Sequence, residues 1–163
     1  ADFKYYENGD TKAVKLPYKN GLSMVVVLGD TKNILNDIHN NKMTSKLVDV
    51  SLPKFKAEYS IDYVNILKNM GIEKAFDNQN ADFSLMLENY PERIKIDSVL
   101  QKAMIDVDEK GTEAAAATVA VLTKSALSVD EEVIEFRADK PFTYYILDDS
   151  GNVYFAGRYV KAE

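Results

Sequence analysis

The sequence predicts an α+β fold built mostly from antiparallel and mixed β-sheets, with a few short helices. Three observations carry this reading. Strand-length apolar runs bounded by turn residues recur towards both ends of the chain, at 22–28 (L-S-M-V-V-V-L) and 142–147 (F-T-Y-Y-I-L). Helical readings are short, with Ile34 to Ile38 and Val64 to Leu67 at helical spacing. The stretch 94–108 is apolar on much of both faces, as a strand in the middle of a large sheet would be.

Residues 2–7 (D-F-K-Y-Y-E) and 11–16 read as strands around the turn Asn8-Gly9-Asp10, a good hairpin signal. The turn Pro17-Tyr18-Lys19-Asn20-Gly21 leads into 22–28, whose unbroken apolar character implies burial on both faces. Thr31 then caps a short helix with Ile34, Leu35 and Ile38 at helical spacing, Asn40-Asn41 breaks it, and 42–48 reads as a second helix. Val48, Val50 and Leu52 alternate, Pro53 interrupts, and Phe55, Ala57 and Tyr59 resume the alternation. Proline is tolerated at an edge or where a strand changes sheet. Ser60 or Asp62 caps a helix carrying Val64, Ile66 and Leu67 and closed by Gly71, and 77–91 reads as a loop. Residues 122–133 are polar and mixed, as an exposed loop is. Ile134, Phe136, 142–147 and 153–160 are strand-like, the last two joined by the turn Asp148-Asp149-Ser150-Gly151-Asn152.

A chain of 163 residues, 46% hydrophobic, is long enough for one domain with a real core. A net charge of -6 without a Lys/Arg cluster argues against nucleic acid or an anionic membrane as partner. The absence of cysteine excludes disulfides and thiol chemistry but leaves the compartment open. No apolar run approaches the ~20 residues needed to span a bilayer. The chain begins in a strand-like stretch, so a secretion signal would lie upstream. The lone histidine, His39, sits in a polar break with no cysteine or second histidine to join it, and receives no role. No paired carboxylates, phosphate-binding glycine loop or metal-ligand spacing stands out, so the expectation is no enzyme, no cofactor and no metal.

The most informative stretch is 106–121, D-V-D-E-K-G-T-E-A-A-A-A-T-V-A-V. Alanine is the best helix former, and Thr112 followed by Glu113 makes a fair helix start. The competing reading is a mobile segment built to become a strand. Residues i and i+2 then share a face, and Thr112, Ala114, Ala116, Thr118 and Ala120 would form one face of small, uncharged side chains, with Glu113 on the other. Such a segment can enter a packed sheet without forcing bulk or charge into it. Spacing alone does not decide between the two.

G-T-E-A-A-A-A-T preceded by V-D-E-K resembles the hinge of the reactive-centre loop of inhibitory serpins. L-P-K-F at 52–55, M-G-I-E-K-A-F at 70–76, A-D-F-S at 81–84, F-R-A-D-K-P-F at 136–142 and F-A-G-R at 155–158 resemble serpin stretches in the family's order. The similarity covers essentially the whole chain, which resembles the C-terminal part of a serpin, rather less than half of one. The resemblance implies B-sheet strands over 1–30, short helices over 31–47 and a strand passing from sheet C to sheet A over 48–59. It further implies a sheet A strand over 94–108, the reactive-centre loop over 109–132 and C-terminal strands over 133–163.

The hinge is then Glu109, Gly111, Thr112, Glu113, Ala114, Ala115, Ala116, Ala117 and Thr118, and the family's spacing places the scissile bond at Ser125-Ala126. Small residues there suit an elastase-like or subtilisin-like serine protease. A shifted register would offer Lys124 to trypsin-like enzymes, or Leu122 or Leu127 to chymotrypsin-like ones. Glu109 is expected to face Lys54, and Gln101 stands where the family usually carries a histidine. The implied function is suicide inhibition of a serine protease, with the N-terminal part of the serpin as a second partner and a secreted or extracellular setting. The alternatives are a non-inhibitory serpin acting as chaperone or carrier, and a structural or interaction fragment without activity of its own.

Overall fold

β1 (Asp2–Asn8) and β2 (Thr11–Pro17) form a hairpin, paired from Lys4↔Lys15 to Asn8↔Thr11. Gly9 turns the chain at φ +57°, with open space where a Cβ would stand. The first position of a two-residue hairpin loop is where a type II′ turn calls for such a residue. The computed structural model describes residues 1–86, 94–108 and 132–160. They divide into one unit of Ala1–Phe55 with Val107–Glu163 and a second of Lys56–Asp106.

In the first unit, β3 (Leu22–Leu28) pairs antiparallel with β2 on one side and with β8 (Phe142–Asp148) on the other. Met24, Val25, Val26 and Val27 are all 0–1% exposed. Successive side chains point to opposite faces, so β3 is buried on both, as the apolar run implied. β9 (Val153–Tyr159) pairs with β8, with a register shift between Ile146 and Leu147. Beyond β1 lies β4 (Thr44–Ser51), antiparallel to β1, and then β7 (Ile134–Arg137), parallel to β4. The order across the seven-stranded sheet is β7-β4-β1-β2-β3-β8-β9.

The second helix expected over 42–48 is instead the start of β4. Its backbone groups pair with β1 from Thr44↔Tyr5 to Leu47↔Asp2, and that non-local pairing outweighs local helical spacing. A single helix, α1 (Ile34–His39), crosses this part of the chain. Six residues are too few to hold a helix in water. Ile34, 2% exposed, and Ile38 therefore dock on a cluster of Tyr6, Ala13, Val25, Val27, Met43 and Leu147. Thr31 contributes its carbonyl, which accepts the Ile34 N–H at 3.3 Å, and no side chain caps the helix.

Polar contacts fix α1 in place. The Tyr6 hydroxyl donates to Asp37 Oδ2 at 2.5 Å, and Lys42 Nζ donates to Oδ1 of the same carboxylate at 2.7 Å. Lys42 first, and Tyr6 second, hold the Asp37 carboxyl below the usual carboxylate range. Tyr5 points to the opposite face. Burial, reinforced by its hydrogen bond to Glu7 at 2.8 Å, raises its hydroxyl above the ordinary tyrosine value.

An aromatic cluster closes the β8–β9 end of the same unit. Phe55 stands 5.8 Å from Phe142, 5.4 Å from Tyr144 and 4.9 Å from Tyr159, centroid to centroid. Tyr144 pairs across the ladder with Gly157, and a methyl at Gly157 would overlap the Tyr144 ring. A glycine is required there by contact.

The second unit is a two-stranded sheet of β5 (Phe55–Asp62) and β6 (Leu100–Val107), with α2 (Val64–Asn69) and short 3-10 turns at Lys74–Phe76 and Ser84–Met86. Gly71, at φ +92°, closes α2 and donates its N–H to the Lys68 carbonyl. The strand expected over 94–108 is shorter, because residues before Leu100 spend their backbone groups elsewhere. The Ile96 N–H reaches the Ala75 carbonyl at 2.9 Å, and the Val99 N–H reaches the Asp62 carboxylate at 3.0 Å. Nor is β6 covered on both faces among the described residues. Ala103, Ile105 and Val107 are half-buried, whereas Leu100 and Met104 are 67% and 59% exposed.

Two outcomes test this packing. Gly157→Ala is expected to cost about 1–3 kcal/mol in urea unfolding, as overpacking does, with Tyr144→Ala in the same chain relieving the clash. Asp37→Asn is expected to lower the urea midpoint at neutral pH. Its folded pKa is depressed, so its contribution is complete above the unfolded carboxylate value of about 3.9 and is lost as pH falls through the lower folded value. The gap between wild type and Asp37→Asn should therefore close in acid.

Candidate functional site

The joint L-P-K-F lies between two strands: β4 ends at Ser51 and β5 begins at Phe55. Pro53 has no N–H to give a ladder, so the chain leaves the first sheet here without stranding a buried donor. The joint is pinned by Phe55, 8% exposed inside the aromatic cluster. Lys54 is exposed beside it. Its expected partner Glu109 lies outside the described residues, as do Gly111, Thr112, Glu113, Ala114, Ala115, Ala116, Ala117, Thr118 and the bond Ser125-Ala126.

Of the stretch around the expected hinge, the described part is β6, which ends at Val107. β6 has β5 as its sole ladder partner among the described residues, so its other edge presents backbone donors and acceptors with no strand beside them. Gln101 is exposed on β6. Asp62 fixes the opposite end of the ribbon. Its Oδ1 accepts the N–H groups of Val64 and Val99, each at 3.0 Å, while the Tyr63 N–H donates to the Val99 carbonyl at 2.8 Å. Those two N–H groups, Val64 first, hold the Asp62 carboxyl below its ordinary value.

The sequence marked Asp62 as one of two candidate helix caps. Its second bond, to Val99, joins residues distant in the chain and left no local signal. Phe55 was legible as an alternating strand residue and not as the centre of an aromatic cluster. His39 is exposed next to the β8–β9 turn, its Nδ1 3.4 Å from where a Cβ on Gly151 would stand. Among the described residues no group of three or more His, Cys, Asp or Glu side chains could hold a metal, and no helix is long and apolar enough to cross a membrane.

Comparison with known proteins agrees with this architecture. The family model described as Serpin (serine protease inhibitor) matches residues 1–162. An uncharacterized serpin-like protein of Thermococcus kodakarensis is 36% identical over 96% of this chain and 39% of its own length. Serine proteinase inhibitor 2 of Cowpox virus is 35% identical over 93% of this chain and 46% of its own length. The crystal structure of Serpin48 from the insect Tenebrio molitor superposes with a TM-score of 0.71 at 33% identity, over 100% of this chain and 44% of that one. The chain thus spans less than half the length of these relatives, and over its span it shares the fold of the Tenebrio molitor structure. With a family match from residue 1 to residue 162 and a shared fold, the chain belongs to the serpin family.

Proposed function

We propose that this chain supplies the reactive-centre loop, and the strand that leads into it, of a suicide-substrate inhibitor of serine proteases. The observation that carries the reading is the composition of the hinge. In an extended conformation Thr112, Ala114, Ala116, Thr118 and Ala120 would share one face with neither bulk nor charge. The edge of β6 that has no ladder partner among the described residues supports it, since a strand added there would find partners for its backbone groups. The Cowpox virus relative carries the name of a serine proteinase inhibitor, which fits the same reading.

In this mechanism the protease serine attacks the carbonyl of Ser125, and an acyl-enzyme forms as Ala126 leaves with the new amino terminus. The freed arm containing the hinge then enters the sheet beside β6 and carries the acylated protease with it. The uncleaved state is held kinetically, and new strand pairing with burial of small side chains drives the change. The rest of a serpin domain is the partner that completes the sheet. Small residues at Ser125 and Ala126 favour an elastase-like or subtilisin-like target.

The test joins this chain with the remainder of its serpin domain and incubates the protein with an elastase-like protease. An SDS-stable complex is expected, and intact-mass analysis of the cleaved fraction should report the Ser125-Ala126 bond. Ala114→Glu or Thr112→Pro should shift the products from complex to cleaved loop. Each ~1.4 kcal/mol added to the insertion barrier slows that step about tenfold, and an unpaired charge in a sheet interior costs more than that. Cleavage with no trapped complex would overturn the inhibitory reading and leave that of a protease substrate.

A further inference from the structure

The sequence holds two Asn-Gly pairs, Asn8-Gly9 and Asn20-Gly21, both at exposed turns. Glycine after asparagine leaves the backbone nitrogen open to the asparagine side chain, because no Cβ shields it. The two differ in what the asparagine touches. Asn20 Oδ1 accepts the Leu22 N–H at 3.3 Å, within its own turn. Asn8 Nδ2 donates to the Tyr6 hydroxyl at 3.4 Å, and that hydroxyl donates in turn to Asp37, which is 9% exposed. Asn8 is thus the outer end of the chain of contacts that holds α1 against the sheet.

We propose that Asn8-Gly9 is a spontaneous deamidation site whose product loosens α1. The Gly9 nitrogen attacks the side-chain carbonyl carbon of Asn8 and loses its proton. The new C–N bond closes a succinimide as the carboxamide nitrogen departs as ammonia. Water then opens the ring at either carbonyl, leaving aspartate or isoaspartate. No oxidant, reductant or enzyme is required. At Asn8 the reaction replaces an N–H donor with a carboxylate beside the Tyr6 oxygen. One phenolic proton cannot serve two carboxylates. Either Asp37 loses its Tyr6 bond, or the new carboxylate faces the lone pairs of the phenol and the charge of Asp37, which Lys42 alone offsets at 2.7 Å. At Asn20 the new carboxylate keeps an acceptor for Leu22, and no contact among the described residues joins it to the buried Asp37.

Ageing the intact protein in mildly alkaline buffer at physiological temperature, followed by peptide mapping, tests the chemistry. The peptide containing Asn8-Gly9 should gain the mass of one amide-to-acid conversion. Asn8→Asp tests the consequence, and should lower the thermal midpoint by roughly 2–4 °C, whereas Asn20→Asp should not. The Asn8→Asp effect should shrink in an Asp37→Asn background. Should Asn8→Asp prove too unstable to purify, a folded Asn8→Ser, which lacks the carboxylate, assigns the loss to charge. An unconverted Asn8-Gly9 alongside a converted Asn20-Gly21 would overturn the proposal. So would an Asn8→Asp protein that melts with the Asn20→Asp control.

Discussion

Pairing of β3 with both β2 and β8 constrains everything else in the larger unit. The register Leu22↔Asp148 to Val27↔Thr143 joins an early segment of the chain to one near its far end. All that lies between them in the sequence, including the L-P-K-F joint, is an excursion whose two ends this ladder holds. The ladder tolerates no slip, because a shift of one residue would turn every side chain on β3 to the other face. With Met24, Val25, Val26 and Val27 buried on both faces, the slip gains nothing and disturbs two packed layers. Such non-local pairing forms late and slowly, since closure of the long excursion precedes any reward from contact.

Two smaller devices hang on that frame, and each solves a problem of burial. α1 is too short to persist alone, and the Tyr6–Asp37–Lys42 contacts give it a fixed seat while satisfying a carboxylate with little access to water. At the other end, Phe55 among Phe142, Tyr144 and Tyr159 secures the point where the chain leaves the sheet. A proline two residues earlier ends the ladder at the joint, and the aromatic anchor keeps it in one place.

Much of the strand framework was legible because its signals are local. The Asn8-Gly9-Asp10 turn, the two-faced run of β3 and the final β8–β9 hairpin each follow from a few adjacent residues. The start of β4 carries no local strand signal because the partners that make it a strand, β1 and β7, are remote in sequence. β6 is shorter than the apolar stretch 94–108 suggests, because side-chain pattern says nothing of where a backbone N–H goes. The carboxylate of Asp62 takes that of Val99. Gly157 was seen within a motif, while the physical need for it, the Tyr144 ring across the ladder, appears only in three dimensions. For the site, the hinge is a reading of composition that lies outside the described residues, and the edge of β6 left unpaired among the described residues is not legible, since side-chain pattern does not say which strand stands beside it.

The smaller unit shows most directly why such an edge matters. In Lys56–Asp106 the apolar side chains buried among the described residues are Phe76 and Ala81, at 6% and 4% exposure. Tyr59, Met70, Leu85, Met86, Leu100 and Met104 stand between 57% and 103% exposed. A two-stranded ribbon is marginal in water without a covered face, and an apolar surface of that extent calls for a cover. Relatives more than twice as long as this chain have the polypeptide to supply it. A strand whose stability comes from whatever lies beside it responds strongly to what is added there. With the rest of a serpin domain beside it, as proposed, the ribbon would gain that cover, and loop insertion would draw on one further row of strand pairing.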